Sequence, residues 1–425
     1  MSATRRRWLE RGGWLVAFLL PLFFNPLALA DPFEPAKVWL LRLIVLGMAG
    51  VALWPGDGRL HWRRENPLAG SVAVYGVMVG LATAVSINVH ASLWGLHGTV
   101  TILALLAFFL LLAAALRDRQ QVEDLINVML VGSAPVALYG LIQYLGLDPL
   151  VWQSDSVSPV QSTMGRSLYL GGYLAMIIPF TLARLVRYMS EKQRPRQIAF
   201  TILLLLQLIC LWVTLARGAW LGFCSVMLLF AVLLTGRRLR WIIVSSVIGA
   251  AGLYFASQIG LSAFSDQLNI DLGQVRAISD AARLSTWADA LALVPGRWLL
   301  GYGLETYATA VQQQFGVIIG PYTGHLPDPH NLLLYQITAV GISGLLAFLW
   351  VNGRFYRLLL ARFRLTQDVS TRLLLAAILS SVTAYLIQAQ FNPDVITLSA
   401  FFWLNLAVGI SLLRQEVTTI NNNSA

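Results

Sequence analysis

The feature that most constrains this chain is a series of apolar blocks, each about twenty residues long, separated by short charged segments. Each block can cross the ~30 Å hydrocarbon core of a bilayer as a helix, which satisfies its backbone hydrogen bonds internally. Charged residues make up only 12% of the chain and the mean hydropathy is +0.68, whereas soluble domains carry about twice that charged fraction. The sequence therefore predicts an all-α polytopic membrane protein.

We expect about twelve transmembrane helices. The apolar run 197–235 must reverse, because as one helix it would be about 58 Å long, nearly twice the hydrocarbon core. The break is 215-LARGAWLG-222, with Arg217 at its tip. The predicted spans are 13–30, 37–54, 67–86, 98–116, 125–146, 168–186, 197–215, 219–235, 241–259, 330–350, 372–389 and 396–413.

Lysine and arginine residues assign the two sides of the membrane. Of the 30 in the chain, 23 fall at the termini or in every second loop, as cytoplasmic segments do. Both termini are therefore predicted to be cytoplasmic. The net charge of +10 follows from this bias and does not indicate nucleic-acid binding.

Seven cations do not follow this cytoplasmic distribution, because they lie on the non-cytoplasmic side or inside a helix. They are Lys37, Arg42, Arg166, Arg217, Arg276, Arg283 and Arg297. Such cations indicate a function by default. Alternatively, Lys37 extends from a helix end toward water, and Arg276 and Arg297 are solvated loop charges.

A long loop, residues 260–329, divides the chain into 1–259 with nine spans, the loop itself, and 330–425 with three spans and a tail. Its length predicts internal helices. One is expected at 280–294, capped by Ser279 or Asp280, and another at about 304–314. Apolar residues at helical spacing predict that the first lies along the membrane surface: Leu284, Trp287, Leu291 and Val294.

A histidine stands at the mouth of the tenth span, in 328-DPHNLLLYQITAVGISGLLAFLW-350. One interpretation is a helix-end anchor, with Asp328 or Asn331 as the cap. The other is acid–base chemistry, because histidine titrates near neutral pH. Spacing alone does not decide between them. The other histidines on this side are interpreted as solvated loop residues: His90, His97 and His325.

Four segments carry a resemblance to a known family: 217-RGAWLG-222, 283-RLSTWADALALVPGRWLLGYGLETY-307, 330-HNLLL-334 and, more weakly, 165-GRSLYLGGYLAMIIPF-180. In order and loop placement the chain resembles the O-antigen ligase and polymerase superfamily over about residues 150–350. The resemblance implies a GT-C-like, multi-pass glycosyltransferase of the bacterial inner membrane whose active site faces the periplasm.

The same resemblance implies the substrates, with membrane lipids around them. The donor is a glycan linked to undecaprenyl pyrophosphate. The acceptor is the lipid A core oligosaccharide in ligases, another repeat unit in polymerases, and protein in a third branch. We predict a ligase, and a polymerase or a protein glycosyltransferase of the same superfamily are the alternatives.

The resemblance also implies the site residues. Arg217, Arg283 and His330 match the positions that matter for activity in ligases. Arginine forks hold pyrophosphate oxygens in pairs, and a histidine orients or deprotonates an acceptor hydroxyl. Further pyrophosphate contacts are predicted at Lys37, Arg42 and Arg166. Three carboxylates are alternative bases: Asp289, Asp328 and Asp394.

The acids of the predicted outer loops are scattered and show no metal-ligand spacing. We therefore predict a reaction without a metal or other cofactor. A rival class is a twelve-helix solute transporter, but the two halves show no repeat, and Arg42 is one of few ionisable residues near the midplane. A non-catalytic scaffold is a further alternative.

Overall fold

The computed structural model describes residues 2–28, 31–54, 66–150, 160–234, 272–317, 319 and 326–423. Within these ranges every regular element is a helix. The α-helices are α1 (Ala3–Leu22), α2 (Glu34–Leu53), α3 (Ala69–Ala84), α4 (Val89–Trp94), α5 (Thr99–Ala115), α6 (Arg119–Tyr144), α7 (Ser167–Ser190), α8 (Arg194–Val213), α9 (Arg217–Leu234), α10 (Leu272–Leu293), α11 (Tyr307–Phe315), α12 (Leu332–Leu365), α13 (Val369–Gln388) and α14 (Ile396–Asn423).

Among these residues, nine helical segments are long and apolar enough to cross a membrane, and α3 is a shorter apolar helix. The chain is therefore an all-α, multi-pass membrane protein. Eleven of the predicted spans have a helix at their position. The ninth, 241–259, lies outside the described residues, so the total of twelve stays a prediction.

The prediction was wrong about the ends of the first span. Helix α1 begins at Ala3, after Ser2 accepts a hydrogen bond from the Arg5 backbone N–H, and it ends at Leu22. Hydropathy places a span where the apolar residues are densest, but the arginine-rich turns before position 13 are helical too. Phe23 then adopts an extended conformation that ends the helix.

The bundle has a buried centre and apolar outer helices. In the most apolar window of α14, 94% of the residues are buried, against 22% in α8. Helix α7 packs against α8, α9 and α13. The outer face of α8 exposes Ile198, Ile202, Leu205 and Ile209. Large apolar side chains on that face suit contact with lipid.

Helix α12 is broken at Gly341, where φ is +69° and ψ is −176°. Backbone from an earlier segment fills the break: Tyr302 N–H donates to Thr338 O (2.8 Å), and Ile342 N–H donates to Trp298 O (2.8 Å). Non-helical backbone inside a membrane bundle needs such partners. The break therefore anchors residues 298–303 to α12 and positions the segment that follows.

Of the predicted loop helices, the first begins earlier than expected. Helix α10 starts at Leu272, so neither Ser279 nor Asp280 caps it. Its buried face includes Ala282, Thr286, Ala290 and Leu293, while Leu284 and Leu291 are exposed. The buried face thus carries mainly small side chains, and these two leucines lie on the exposed face. Helix α11 begins at Tyr307 and ends at Phe315.

Candidate active site

A cavity of about 780 Å³ lies at one end of the bundle, where six non-adjacent segments of the chain meet. Its described lining includes eight acidic or basic side chains: Asp31, Glu34, His97, Arg166, Glu305, Asp328, His330 and Asp394. Tyr169, Tyr307 and Tyr335 add aromatic surface. Apart from these groups the walls are largely apolar or amide-bearing, so the cavity combines hydrogen-bonding groups with ring surfaces.

His330 lies in the wall of this cavity with its side chain 12% exposed. Its Nδ1 is 3.0 Å from Asp328 Oδ1 and 3.1 Å from the Asp328 backbone oxygen. Both neighbours only accept hydrogen bonds, so Nδ1 carries the proton in the neutral ring. Nε2 is then the unprotonated nitrogen, as a general base requires.

Three hydrogen bonds hold the loop that carries His330 to α10 and to residues 389–390. Trp287 Nε1 donates to Pro329 O (2.8 Å), Leu332 N–H donates to Ala389 O (2.8 Å), and Asn331 Nδ2 donates to Gln390 O (3.1 Å). Asn331 also caps α12, because its side chain accepts from Leu334 N–H. The cap is therefore Asn331, which leaves the imidazole of His330 for another role.

The backbone of His330 is itself unusual, with φ at +49°. Left-handed conformations are uncommon for residues other than glycine and cluster at functional sites. Glu305 (φ +59°) also lines the cavity, and Ser162 (φ +51°) follows Gln161, which does so as well. Three of the five non-glycine residues with positive φ in the described part of the chain therefore lie in or next to the lining of this cavity.

Asp328 is a charged partner for His330. Burial penalises its carboxylate, but hydrogen bonds from the His330 ring and backbone N–H outweigh that effect and lower the pKa of Asp328 below its ordinary value. The carboxylate is thus ionised at neutral pH and holds the ring in one orientation. Geometry of this kind positions a base.

A second histidine–carboxylate pair faces the same space. His97 Nε2 lies 3.1 Å from Glu34 Oε1, and the His97 backbone N–H donates to Glu305 Oε1 (2.7 Å). Glu34 also accepts the N–H of Ile396 at 2.6 Å. The interpretation of His97 as a solvated loop residue was wrong, because the ring is turned inward to a carboxylate from α2.

Asp394 is a partly buried acid of the group. It accepts hydrogen bonds from Tyr385 OH (2.8 Å) and from the Ser399 hydroxyl. Burial, the largest effect, raises the pKa of Asp394 above its ordinary value. Its hydroxyl neighbours donate to it, so the carboxyl is held in place beside the cavity.

The charges that line the cavity are mostly negative, whereas the sequence predicted several cations around the pyrophosphate. Five carboxylates line the described part of the cavity, with Arg166 as its one arginine. Arg166 occupies the N-cap position of α7 and is exposed, so its charge adds to the positive end of the helix dipole. Within the described residues, no group of three His, Cys, Asp or Glu is arranged to hold a metal ion.

Arg217 is the first residue of α9, beside the cavity but not among its described lining. The next residue packs against the wall: a Cβ on Gly218 would lie 2.7 Å from Asn392 Nδ2, and Asn392 lines the cavity. Glycine at 218 therefore permits this close approach. Leu215, two residues earlier, has φ at +53°.

Arg283 is on α10 and is also outside the described lining. It stands one helical turn before Trp287, whose indole N–H binds the carbonyl of Pro329. Thr286 accepts the backbone N–H of Leu326 at 3.1 Å. These bonds fix α10 against the loop of His330, so Arg283 lies on an element that borders the site.

Lys37 and Arg42 bind protein groups. Lys37 is 1% exposed and its Nζ donates to Thr163 O at 2.8 Å. Arg42 donates to Thr101 Oγ1 and to Gly95 O (2.8 Å). In the structure they link α2 to neighbouring segments, and their role as pyrophosphate contacts stays a prediction.

A comparison of the sequence with known protein families finds a match. Residues 202–349 match the family model described as O-antigen ligase. Over this segment the chain is similar to the O-antigen ligase superfamily. No curated protein matches the chain.

The O-antigen ligase match contains Arg217, Arg283 and His330, together with the break at Gly341. It does not contain Arg166, nor the segments that bring Glu34 and Asp394 to the cavity. The site is thus built partly from the matched segment and partly from residues on either side of it.

Sequence reasoning missed four cavity groups: Asp31, Glu34, His97 and Glu305. Each is a single polar residue next to a helix end, where a solvated charge is the ordinary expectation. Glu34 carries a usable signal, because 31-DPFEPAK-37 places a carboxylate at the mouth of a span just as 328-DPHN-331 places a histidine.

Proposed function

We propose that this protein is an O-antigen ligase-type glycosyltransferase. It transfers a glycan from undecaprenyl pyrophosphate to a hydroxyl of the lipid A core oligosaccharide, at the periplasmic face of the inner membrane. The observation that carries the proposal is the Asp328–His330 pair, with Nδ1 of the ring 3.0 Å from the carboxylate, at the wall of a cavity of about 780 Å³.

The reaction is a single displacement. The acceptor hydroxyl oxygen attacks the anomeric carbon, and its proton passes to Nε2 of His330. The bond between the anomeric carbon and the pyrophosphate oxygen breaks, and its electron pair leaves with undecaprenyl pyrophosphate. The imidazolium, stabilised by Asp328, later returns the proton to water. Attack opposite the leaving group inverts the anomeric carbon.

The charges of the cavity suggest where each part of the substrates binds. Carboxylates accept hydrogen bonds from sugar hydroxyls, whereas five of them repel an anionic pyrophosphate. We therefore assign the sugars to the cavity and the pyrophosphate to its border, near Arg166 and the start of α9. There Arg217 and Arg283 stabilise the charge that develops on the leaving group.

The remaining features follow from the same proposal. Both termini are cytoplasmic, as the distribution of lysine and arginine indicates, and the lipid tail of the donor stays in the membrane. The arginines neutralise the leaving group, so no metal is needed. Transfer to a second repeat unit or to a protein uses the same donor chemistry.

The test is reconstitution in liposomes with labelled undecaprenyl-pyrophosphate glycan and three acceptors in parallel: core lipid, a second donor molecule, and a pilin-like protein. Transfer to core lipid supports the ligase. Transfer only to the second donor molecule would indicate a polymerase, and transfer only to the protein would indicate a protein glycosyltransferase. His330→Ala and Arg283→Gln are expected to lower turnover by at least ~10²-fold.

The matched control is Arg297→Gln, which removes a cation of the same loop that donates to Val85 O and lies outside the described cavity lining. Its turnover should stay within about twofold. Solute uptake by the liposomes, unchanged in Arg217→Ala and His330→Ala, would instead support a transporter. Intact surface glycan in cells carrying Arg283→Gln would support a scaffold.

A further inference from the structure

A second cavity, of about 980 Å³, opens among α6, α7 and α8 at the opposite end of these helices from His330. Four arginines stand at its polar end: Arg119, Arg184, Arg187 and Arg196. The one carboxylate in its described lining is Glu123. The proposed reaction uses none of these residues.

The guanidinium groups are organised around Glu123. Arg184, 2% exposed, forms an ion pair with this carboxylate and also donates to the backbone oxygen of Glu123 at 3.0 Å. Arg187 binds the same carboxylate at 3.0 Å, and Arg119 lies 3.2 Å from it. Three guanidinium groups thus share one largely buried carboxylate.

Part of the positive charge at this end of the cavity has no matching acid among the described residues. The buried Nε of Arg184 has no hydrogen-bond partner among the described residues. Arg196 stacks over the Tyr188 ring at 5.3 Å, and no carboxylate partner for it occurs in the described part of the chain. Arg119 and Arg187 have further acids outside the cavity, Asp368 and Glu191. The polar end of the cavity is therefore built for an anion.

The other end of the cavity is apolar. It is lined by Leu130, Ala134, Ile202, Leu203 and Leu206. From Arg196 to Leu206 along α8 is about 15 Å at ~1.5 Å per residue, which is about half of the ~30 Å hydrocarbon core. The groove therefore runs from headgroup depth to the middle of the bilayer, the depth of one leaflet.

We propose that this groove binds an anionic diacyl phospholipid of the adjacent leaflet. Its phosphate lies among the arginines and an acyl chain lies along α8. Basic pockets between transmembrane helices hold anionic headgroups in this way. The bound lipid fills the groove between three helices, one of which, α7, continues to the catalytic cavity at Arg166.

The test is native mass spectrometry of the purified, delipidated full-length protein with phosphatidylglycerol or phosphatidylcholine of identical chains. Phosphatidylglycerol is expected to bind at least ~5-fold more tightly, because each arginine near the headgroup contributes about that factor. Arg196→Gln should weaken its binding by about fivefold, and Ala134→Phe should weaken it by filling the apolar end.

The matched control is Arg364→Gln, which changes an exposed arginine four residues before Asp368 in the sequence and outside this cavity. It should leave phosphatidylglycerol binding unchanged, and thermal unfolding checks that every variant is folded. Equal binding of the two phospholipids, or equal effects of Arg196→Gln and Arg364→Gln, would overturn the proposal. So would undecaprenyl phosphate displacing phosphatidylglycerol at equal concentration, because the occupant would then be the carrier lipid.

Discussion

The indole N–H of Trp287 donates to the carbonyl oxygen of Pro329 at 2.8 Å, directly before His330. A helix that begins beyond the predicted ninth span thereby fixes the loop of the proposed base. The bond crosses 42 residues of sequence, and Trp287 also packs near Phe391, with ring centroids 6.5 Å apart. Helix α10 thus controls the position of the imidazole.

Trp287→Phe keeps the aromatic packing and removes the donor. A net hydrogen bond is worth about 1 kcal/mol, so we expect turnover to fall about fivefold with little change in KM, because the loop loses its restraint. Steady-state kinetics in proteoliposomes measure this. Trp298→Phe is the control, since Trp298 as a whole residue is 56% exposed, and equal losses in both variants would contradict the argument.

Asp328 is a positioning residue, because it acts through His330. In Asp328→Asn the amide no longer provides a charged acceptor for Nδ1–H, so the ring loses its fixed tautomer and orientation. We expect turnover to fall by about 10²-fold while KM for the donor changes little. Partial recovery in Asp328→Glu and full activity in Asp289→Asn would distinguish positioning from a general loss of folding.

The spans were predictable because a membrane helix is a local pattern: about twenty apolar residues indicate α7 or α13 without knowledge of their neighbours. The cavity was not predictable in the same way. Glu34 becomes a site residue only because His97 and Ile396 come to it from distant segments. The break at Gly341 likewise depends on backbone from residues 298–303, which no local pattern indicates.

Two carboxyl groups of the site should contribute to the folding stability with opposite dependences on pH. The pKa of Asp394 is raised by burial, so its contribution is complete below about pH 4 and is lost as pH rises through its folded value. The pKa of Asp328 is lowered, so its contribution is present above about pH 4 and is lost as pH falls through its folded value.

Melting temperatures of the purified protein between pH 3.5 and 8 test these signs. Relative to wild type, Asp394→Asn should gain stability at pH 8 compared with pH 4, because the charged form is no longer required. Asp328→Asn should lose stability at pH 8 compared with pH 3.5. The same direction of change in both variants would show that the assigned environments are wrong.

Removal of divalent ions should leave the reaction intact, because the proposed charge stabilisation comes from Arg166, Arg217 and Arg283. We expect turnover in proteoliposomes to change by less than twofold after EDTA treatment. The control is a metal-dependent glycosyltransferase assayed in the same buffer. Loss of turnover on chelation, restored by Mg²⁺, would refute this prediction.

Gly341 should be indispensable for the fold around the site. Its φ of +69° with ψ of −176° is a conformation that only glycine adopts readily, and a Cβ there would overlap the carbonyl oxygen of Leu299. Gly341→Ala should therefore lower the free energy of unfolding by at least ~3 kcal/mol and release residues 298–303 from α12.

Gly353→Ala in the same helix is the matched control, because a Cβ there meets nothing within 4 Å. Alanine is the better helix former by about 1 kcal/mol, so this variant should unfold at the same temperature as wild type or higher. Thermal unfolding of both variants in detergent measures the contrast, and similar melting temperatures would mean that the break in α12 does not hold the cavity segment in place.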